Sequence, residues 1–344
     1  MTQDSQPPFA GPPQDGPGAL MAQLTVAHSI APSDNSTSVV IEAPAGPQIQ
    51  TGAVRVTAYD DVLYATREGI DGDELPLRLD LLVPETPGAK PLVVYLPGGG
   101  FIMSNKKMAL DRRTYIAEAG YAVASVEYRT VLNGATYRDS LADAKSAIRF
   151  LRAHAEQYGI DGSKVAAWGE SAGGYLASMV GTTGTVAAFD TPDNADFGSE
   201  VQAVVNQFGA SDLLKLAADF DPDAQQSHLR PGTPAAAFVF GPATDKALTD
   251  DPEAVAAADP TTYVTAQTPA FLHFHGSGDV FISPSQSLLL HTALLEHGVE
   301  STRYVLSGAN HGDIVVMLGD PEAALPWSTE ELLGYITEFL GKHL

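Results

Sequence analysis

Six short, nearly continuous apolar runs punctuate this chain, at residues 91–96, 121–126, 165–168, 201–208, 270–274 and 302–306. Each is strand-sized, and an unbroken apolar run of that length suits a strand covered on both faces. Between the runs lie helical patterns. The clearest spans residues 139–158, where Leu141, Ala144, Ile148, Leu151 and Ala155 recur at helical spacing on one face, with Asp143, Lys145 and Arg152 away from it. Residues 285–298 and 328–344 repeat the theme. Strands alternating with helices predict an α/β chain with a mostly parallel, twisted sheet of about eight strands and helices on both faces. Residues 53–63 and 77–83 largely alternate apolar and polar around the turn 69–72, which predicts an antiparallel hairpin at one sheet edge.

Two stretches depart from this rhythm. Residues 1–50, of which the first eighteen are rich in Pro, Gly and Gln, read as an N-terminal arm, partly disordered or loosely docked, ahead of a single domain over 51–344. Residues 211–267 are rich in Asp, Ala and Pro, with Asp221-Pro222, Arg230-Pro231, Gly241-Pro242 and Asp259-Pro260 as punctuation. A segment of that kind inside a regular α/β chain reads as a cap-like insertion over the sheet.

Charge narrows the partners. Of the 344 residues, 19 are Lys or Arg and 42 are Asp or Glu, a formal charge of −23. Nucleic acid and anionic membrane surfaces are not expected partners, because both need a basic footprint that no part of the chain offers. The chain has no Cys, which removes disulfides, thiolate metal sites and cysteine nucleophiles. The apolar runs fall far short of the ~20 residues of a membrane helix. The first residues lack a basic then apolar leader, so a cytoplasmic location is expected, with export left open. A homodimer is also left open.

The chemistry concentrates in Gly169-Glu170-Ser171-Ala172-Gly173, which follows a buried run and precedes a helical one. That strand–turn–helix context is what a nucleophile elbow requires. A turn this sharp raises a serine hydroxyl above the sheet at a helix N-terminus, and glycines on either side let neighbouring backbone pass. The plainer reading is a glycine-rich turn whose serine caps the helix. Upstream, the run 91–96 leads into Pro97-Gly98-Gly99-Gly100-Phe101, either a flexible loop or a surface whose amides approach a ligand closely. Beside Ser171, the second reading makes Gly99 and Gly100, with Ala172, the donors of an oxyanion hole.

A serine needs a base, and an imidazole, with an unperturbed pKa of about 6.5, suits that work. Of nine histidines, His28, His154, His228, His291, His297 and His343 fall in the arm, on helices or in the insertion, and His273 and His275 in or beside a strand, where structural roles are expected. His311 follows a strand in the glycine-flanked loop 307–312 and is the candidate base. The acid that fixes its tautomer is expected to be Asp279, which follows a strand and two glycines, with Asp313 as its rival. No His/Asp/Glu cluster at metal-ligand spacing stands apart from these residues, so no metal and no cofactor is expected.

The set LPGGGF, VEYR (126–129), DAKSAIRFLRAHAEQYGID (143–161), WGESAGG and HGSGDVFISPSQS (275–287) resembles the α/β-hydrolase esterases, in particular bacterial esterases related to acetylxylan and feruloyl esterases, with hormone-sensitive-lipase-like esterases as neighbours. The likeness spans residues 77–344. It implies the α/β-hydrolase fold and the order nucleophile, acid, base, met here by Ser171, Asp279 and His311. It further implies a carboxylic-ester hydrolase working through an acyl-enzyme on a small-molecule ester, with short acyl or aryl groups expected. An amidase or formamidase on the same triad is the alternative. So is a non-catalytic ligand-binding member of the fold, although such members lose the histidine that stands here at 311. The family usually has His before its three glycines. This chain has Pro97, so the loop must be braced without that imidazole.

Overall fold

The computed structural model describes residues 26–313 and 325–344; the first eighteen residues of the arm lie outside them. The strands are β1 (Val39–Glu42), β2 (Val56–Glu68), β3 (Glu74–Pro84), β4 (Lys90–Leu96), β5 (Ala122–Val126), β6 (Ile160–Glu170), β7 (Ala203–Gln207), β8 (Ala270–Gly276) and β9 (Ser301–Ser307). They form one nine-stranded sheet in the order β1-β9-β8-β7-β6-β4-β5-β3-β2. Only the pairings of β3 with β2 and β5 are antiparallel, so the expected hairpin sits at one edge of an otherwise parallel sheet.

The helices are α1 (Leu110–Glu118), α2 (Tyr137–Ala153), α3 (Ala172–Thr182), α4 (Pro222–Leu229), α5 (Pro234–Phe240), α6 (Pro252–Ala256), α7 (Ser285–Glu296) and α8 (Glu330–His343). Alternate residues of each central strand feed two cores, as the pleat dictates. Leu92, Val94, Leu96, Val165 and Ala167 pack with α2, α3 and α7. Val93, Tyr95, Ala166 and Trp168 pack with α1 and α8 on the other face. No described helix is long and apolar enough to cross a membrane.

Three features differ from the sequence reading. The sheet has nine strands rather than about eight, because residues 39–42 of the presumed arm pair with 304–307 of β9. No buried apolar run marks this strand: it is four residues long at the sheet edge, and Val39 and Val40 remain about half exposed. Second, Asp143 and Lys145, although away from the apolar face of the helix, are completely buried. The second side of α2 lies under the hairpin and residues 183–193, so each charge must be paired. Asp143 accepts from Arg67 at 3.0 Å and from Arg129 at 2.8 Å. Lys145 meets Asp190 at 2.8 Å and donates to the Thr183 carbonyl at 3.0 Å. Third, the helix ends at Ala153, and residues 155–158 form a separate turn.

The stretch 211–267 leaves the sheet between β7 and β8 and builds α4, α5 and α6. Each begins with proline in its first turn behind a side-chain cap: Asp221, Thr233 and Asp251 accept from the amides of Ala224, Ala236 and Ala254. Proline costs nothing there, since that amide has no helical acceptor anyway. From α5, Phe238 stacks on Phe101 at 4.4 Å and so carries the insertion to the glycine loop after β4.

Candidate active site

Ser171 is the one residue between β6 and α3, and it sits at φ 55°, ψ −123°, a conformation that side chains rarely adopt. Close packing forces it. A Cβ on Gly169 would lie 2.1 Å from the Gly173 carbonyl oxygen, and one on Gly173 would lie 1.9 Å from that of Leu96. The Ser171 amide donates to the Gln207 carbonyl at 2.9 Å, and its own carbonyl accepts from Tyr175 at 3.0 Å, so strand and helix clamp the turn from both sides.

The loops after β8 and β9 rise at the same end of the sheet. His311 directs Nε2 to Ser171 Oγ at 2.8 Å and Nδ1 to Asp279 Oδ2 at 2.7 Å. An Nδ1 facing a carboxylate carries the proton, which leaves Nε2 as an acceptor toward the hydroxyl. Phe208 packs edge-on against the ring at 4.7 Å, and Phe281 lies at 5.6 Å. Asp279 is fully buried. Burial pushes its pKa up, but the His311 imidazole and hydrogen bonds from His275 and His311 outweigh that and hold the carboxyl well below the usual carboxylate range. Its Oδ1 accepts from the amides of Phe281 and Ile282, both at 2.9 Å. Asp313, the rival acid, is placed elsewhere. Its carboxylate accepts from the Trp327 amide at 3.2 Å and the Ser328 hydroxyl at 2.8 Å, and burial raises its pKa.

The glycine loop faces the elbow. Gly100 has φ 60°, and a Cβ on Gly99 would lie 2.1 Å from the Met103 carbonyl oxygen. The Gly99 carbonyl takes the amides of Ile102 and Met103, both at 3.1 Å. Among the described residues, the amides of Gly99, Gly100 and Ala172 have no protein acceptor. The brace that Pro97 leaves unsupplied comes from Tyr128, whose buried hydroxyl donates to the Pro97 carbonyl at 2.6 Å, and from Thr130, which donates to the Ile102 carbonyl at 3.0 Å. Tyr128 stands in the VEYR motif, but nothing in the sequence says where its hydroxyl points.

Behind the nucleophile, Glu170 is buried against Arg112, Nη1 to Oε1 at 2.9 Å and Nη2 to Oε2 at 3.2 Å. Burial raises the Glu170 pKa, and Arg112 opposes it. Among the described residues, no three His, Asp or Glu side chains converge as a metal site would require.

A mostly parallel sheet with a serine on the strand-to-helix elbow, and an acid and a histidine on loops after later strands, is the α/β-hydrolase fold. Residues 79–294, more than half of the chain, match the BD-FAE family, and the chain belongs to that family. Among similar proteins, a probable isoprenylcysteine alpha-carbonyl methylesterase of Arabidopsis thaliana, ICMEL1, is 27% identical over 75% of this chain and 52% of its own length. The probable carboxylic ester hydrolase LipM of Mycobacterium tuberculosis is 27% identical over 70% of this chain and 53% of its own. The chain thus spans about half the length of these relatives. A truncated carbohydrate esterase from gut microbiota superimposes with a TM-score of 0.70 over 87% of this chain and 99% of that one, at 23% identity, a likeness of fold.

Proposed function

We propose that the chain is a serine carboxylic-ester hydrolase with Ser171 as nucleophile, His311 as general base and acid, and Asp279 as the carboxylate that orients it. The observation that carries the proposal is His311 held between the Ser171 hydroxyl at 2.8 Å and Asp279 at 2.7 Å. Ser171 Oγ attacks the ester carbonyl carbon as its proton passes to His311 Nε2, and the imidazolium gains the Asp279 charge. The oxyanion is taken up by the unengaged amides of Gly99, Gly100 and Ala172. The alcohol leaves with the proton from Nε2, and a water activated by the same nitrogen then cleaves the acyl-enzyme.

Short acyl groups are the expected substrates, and the rings beside the glycine loop support that reading. Next to the glycine loop, Phe101 stacks on Phe238 and meets Tyr175 edge-on at 5.4 Å, and all three are buried, so that side is already filled by rings. The charge of −23 favours a neutral ester over an acidic substrate. The test is Ser171→Ala on p-nitrophenyl esters from acetate to decanoate, beside feruloyl and acetyl-sugar esters. A loss of several orders of magnitude in kcat with an intact fold is expected. Near wild-type turnover in that variant would remove the reading, and faster turnover of decanoate than of acetate or butyrate would remove the short-acyl part.

A further inference from the structure

Asp279 has a second imidazole. His275, at the end of β8 and fully buried, places Nε2 3.2 Å from Asp279 Oδ2, the same oxygen that His311 uses, and 3.1 Å from the Ile282 carbonyl. That nitrogen meets only acceptors, so it carries a proton whatever the charge of the ring. On the far side, His275 Nδ1 is 3.1 Å from Ser287 Oγ. Arg303 Nε donates to the same hydroxyl at 2.8 Å, and the single Ser287 proton has two acceptors in reach, Nδ1 of the neutral ring and the Pro284 carbonyl at 3.2 Å. Arg303 is itself held by Asn35, Ser38 and the Pro284 carbonyl. A continuous chain therefore runs from Arg303 through Ser287 and His275 to Asp279, His311 and Ser171.

We propose that His275 is a positioning residue for the triad: its Nε2–H fixes the Asp279 carboxylate and draws charge from the oxygen that faces His311. The inference rests on the proposed esterase reading. Two consequences follow from sharing Oδ2. Without His275 the carboxylate is anchored only through Oδ1 and His311, so the base is less well oriented and kcat falls while KM changes little. Without the competing donor, Oδ2 carries more negative charge, stabilises the His311 imidazolium more strongly, and moves the acid limb of kcat/KM to higher pH. The charged and titratable groups around His275 are His273 on β8, His291 on α7, Arg303 on β9, and Asp279 and His311 on the loops, with Asp219 and Asp34 acting on Arg303. All of them are present in every variant below, so a difference between variants reports the missing donor.

The experiment compares wild type, His275→Phe, His275→Gln and Ser287→Ala on a short p-nitrophenyl ester from pH 4.5 to 9, with Ser171→Ala as control and a melting curve for each. His275→Phe fills the site but donates nothing: a fall in kcat of about tenfold and an acid limb moved up by about half a pH unit or more are expected. His275→Gln keeps an N–H donor near the same place and should recover most of both. Ser287→Ala takes away the hydroxyl behind the ring but leaves Nε2 facing its two acceptors, so the proton stays on Nε2 and the limb should stay close to that of wild type. An acid limb unmoved in His275→Phe, or moved as far in Ser287→Ala as in His275→Phe, overturns the inference whatever the melting temperatures, as does His275→Gln behaving like His275→Phe. Should His275→Phe not fold, His275→Leu, which also donates nothing, is read against His275→Gln in the same terms. A Ser171→Ala variant that keeps its activity would point instead to failure of the esterase reading.

Discussion

Replacing Asp279 by Asn tests the site most severely, because its four donors leave an amide no good orientation. The carboxylate accepts two backbone amides on Oδ1, and His311 and His275 on Oδ2. An Asn that keeps its oxygen toward Phe281 and Ile282 turns an NH₂ toward two ring N–H groups. The flipped amide instead faces those backbone amides, leaving two buried donors without acceptors at about 1–3 kcal/mol each. The first orientation is therefore the cheaper, and it drives the His311 proton onto Nε2, where the ring can no longer accept from Ser171. The same substitution in serine proteases lowers kcat by about 10⁴, close to 5 kcal/mol of transition-state stabilisation, and a loss of that order is expected here. Asp313→Asn keeps an acceptor for Trp327 or Ser328 and removes one charge near the base, for which tenfold or less is expected at an effective dielectric near 20. The assay is kcat/KM on p-nitrophenyl acetate for both variants, with circular dichroism melts to show that each is folded. A crippled Asp313→Asn beside an active Asp279→Asn would refute the reasoning and move the acid.

Arg112→Met leaves Glu170 buried without its partner and should cost about 3–5 kcal/mol, largely recovered in Arg112→Met/Glu170→Gln; equal melting temperatures for single variant and wild type would contradict this. Burial pulls the His228 pKa down to about 4, so the fold keeps this ring neutral while the unfolded chain protonates it below about 6.5. Stability should be full above that value and decline toward pH 4 by up to about 3 kcal/mol from this residue, and His228→Leu should flatten the melting curve against pH; an unchanged slope would count against it. Gly173→Ala should fail to fold, since its methyl lands on the Leu96 carbonyl, whereas Gly334→Ala in α8, with nothing within 4 Å, should stabilise by up to about 1 kcal/mol. Comparable expression and melting of the two would show that the elbow is looser than described.

What the sequence revealed follows from how local each signal is. The runs that became β4 to β9 were legible because a strand covered on both faces has no polar side to confuse the pattern. The strand at 39–42 was not, because an edge strand of four residues, three of them exposed, lacks that pattern. The burial of Asp143 and Lys145 was hidden for the opposite reason: periodicity shows only that they lie off the apolar face, and the long-range partners Arg67, Arg129 and Asp190 make burial tolerable. Ser171, Asp279 and His311 could be nominated from loops that follow strands, and the structure brings the three together. Tyr128 and His275 could not. Both stood in quoted motifs, but their importance lies in a carbonyl 31 residues away and in an oxygen shared with another histidine.

The backbone at residue 171 sets the fold and its chemistry at odds. At φ 55°, ψ −123° a glycine would be at ease, while serine carries a strain of the order of 1–3 kcal/mol. A chain tuned for thermal endurance alone would therefore surrender its hydroxyl at this position, and heat resistance sought by random mutation has an inactive glycine variant within easy reach. Stabilising changes in this protein are best sought at sites such as the open helix position 334, and any selection scheme should score turnover together with melting temperature.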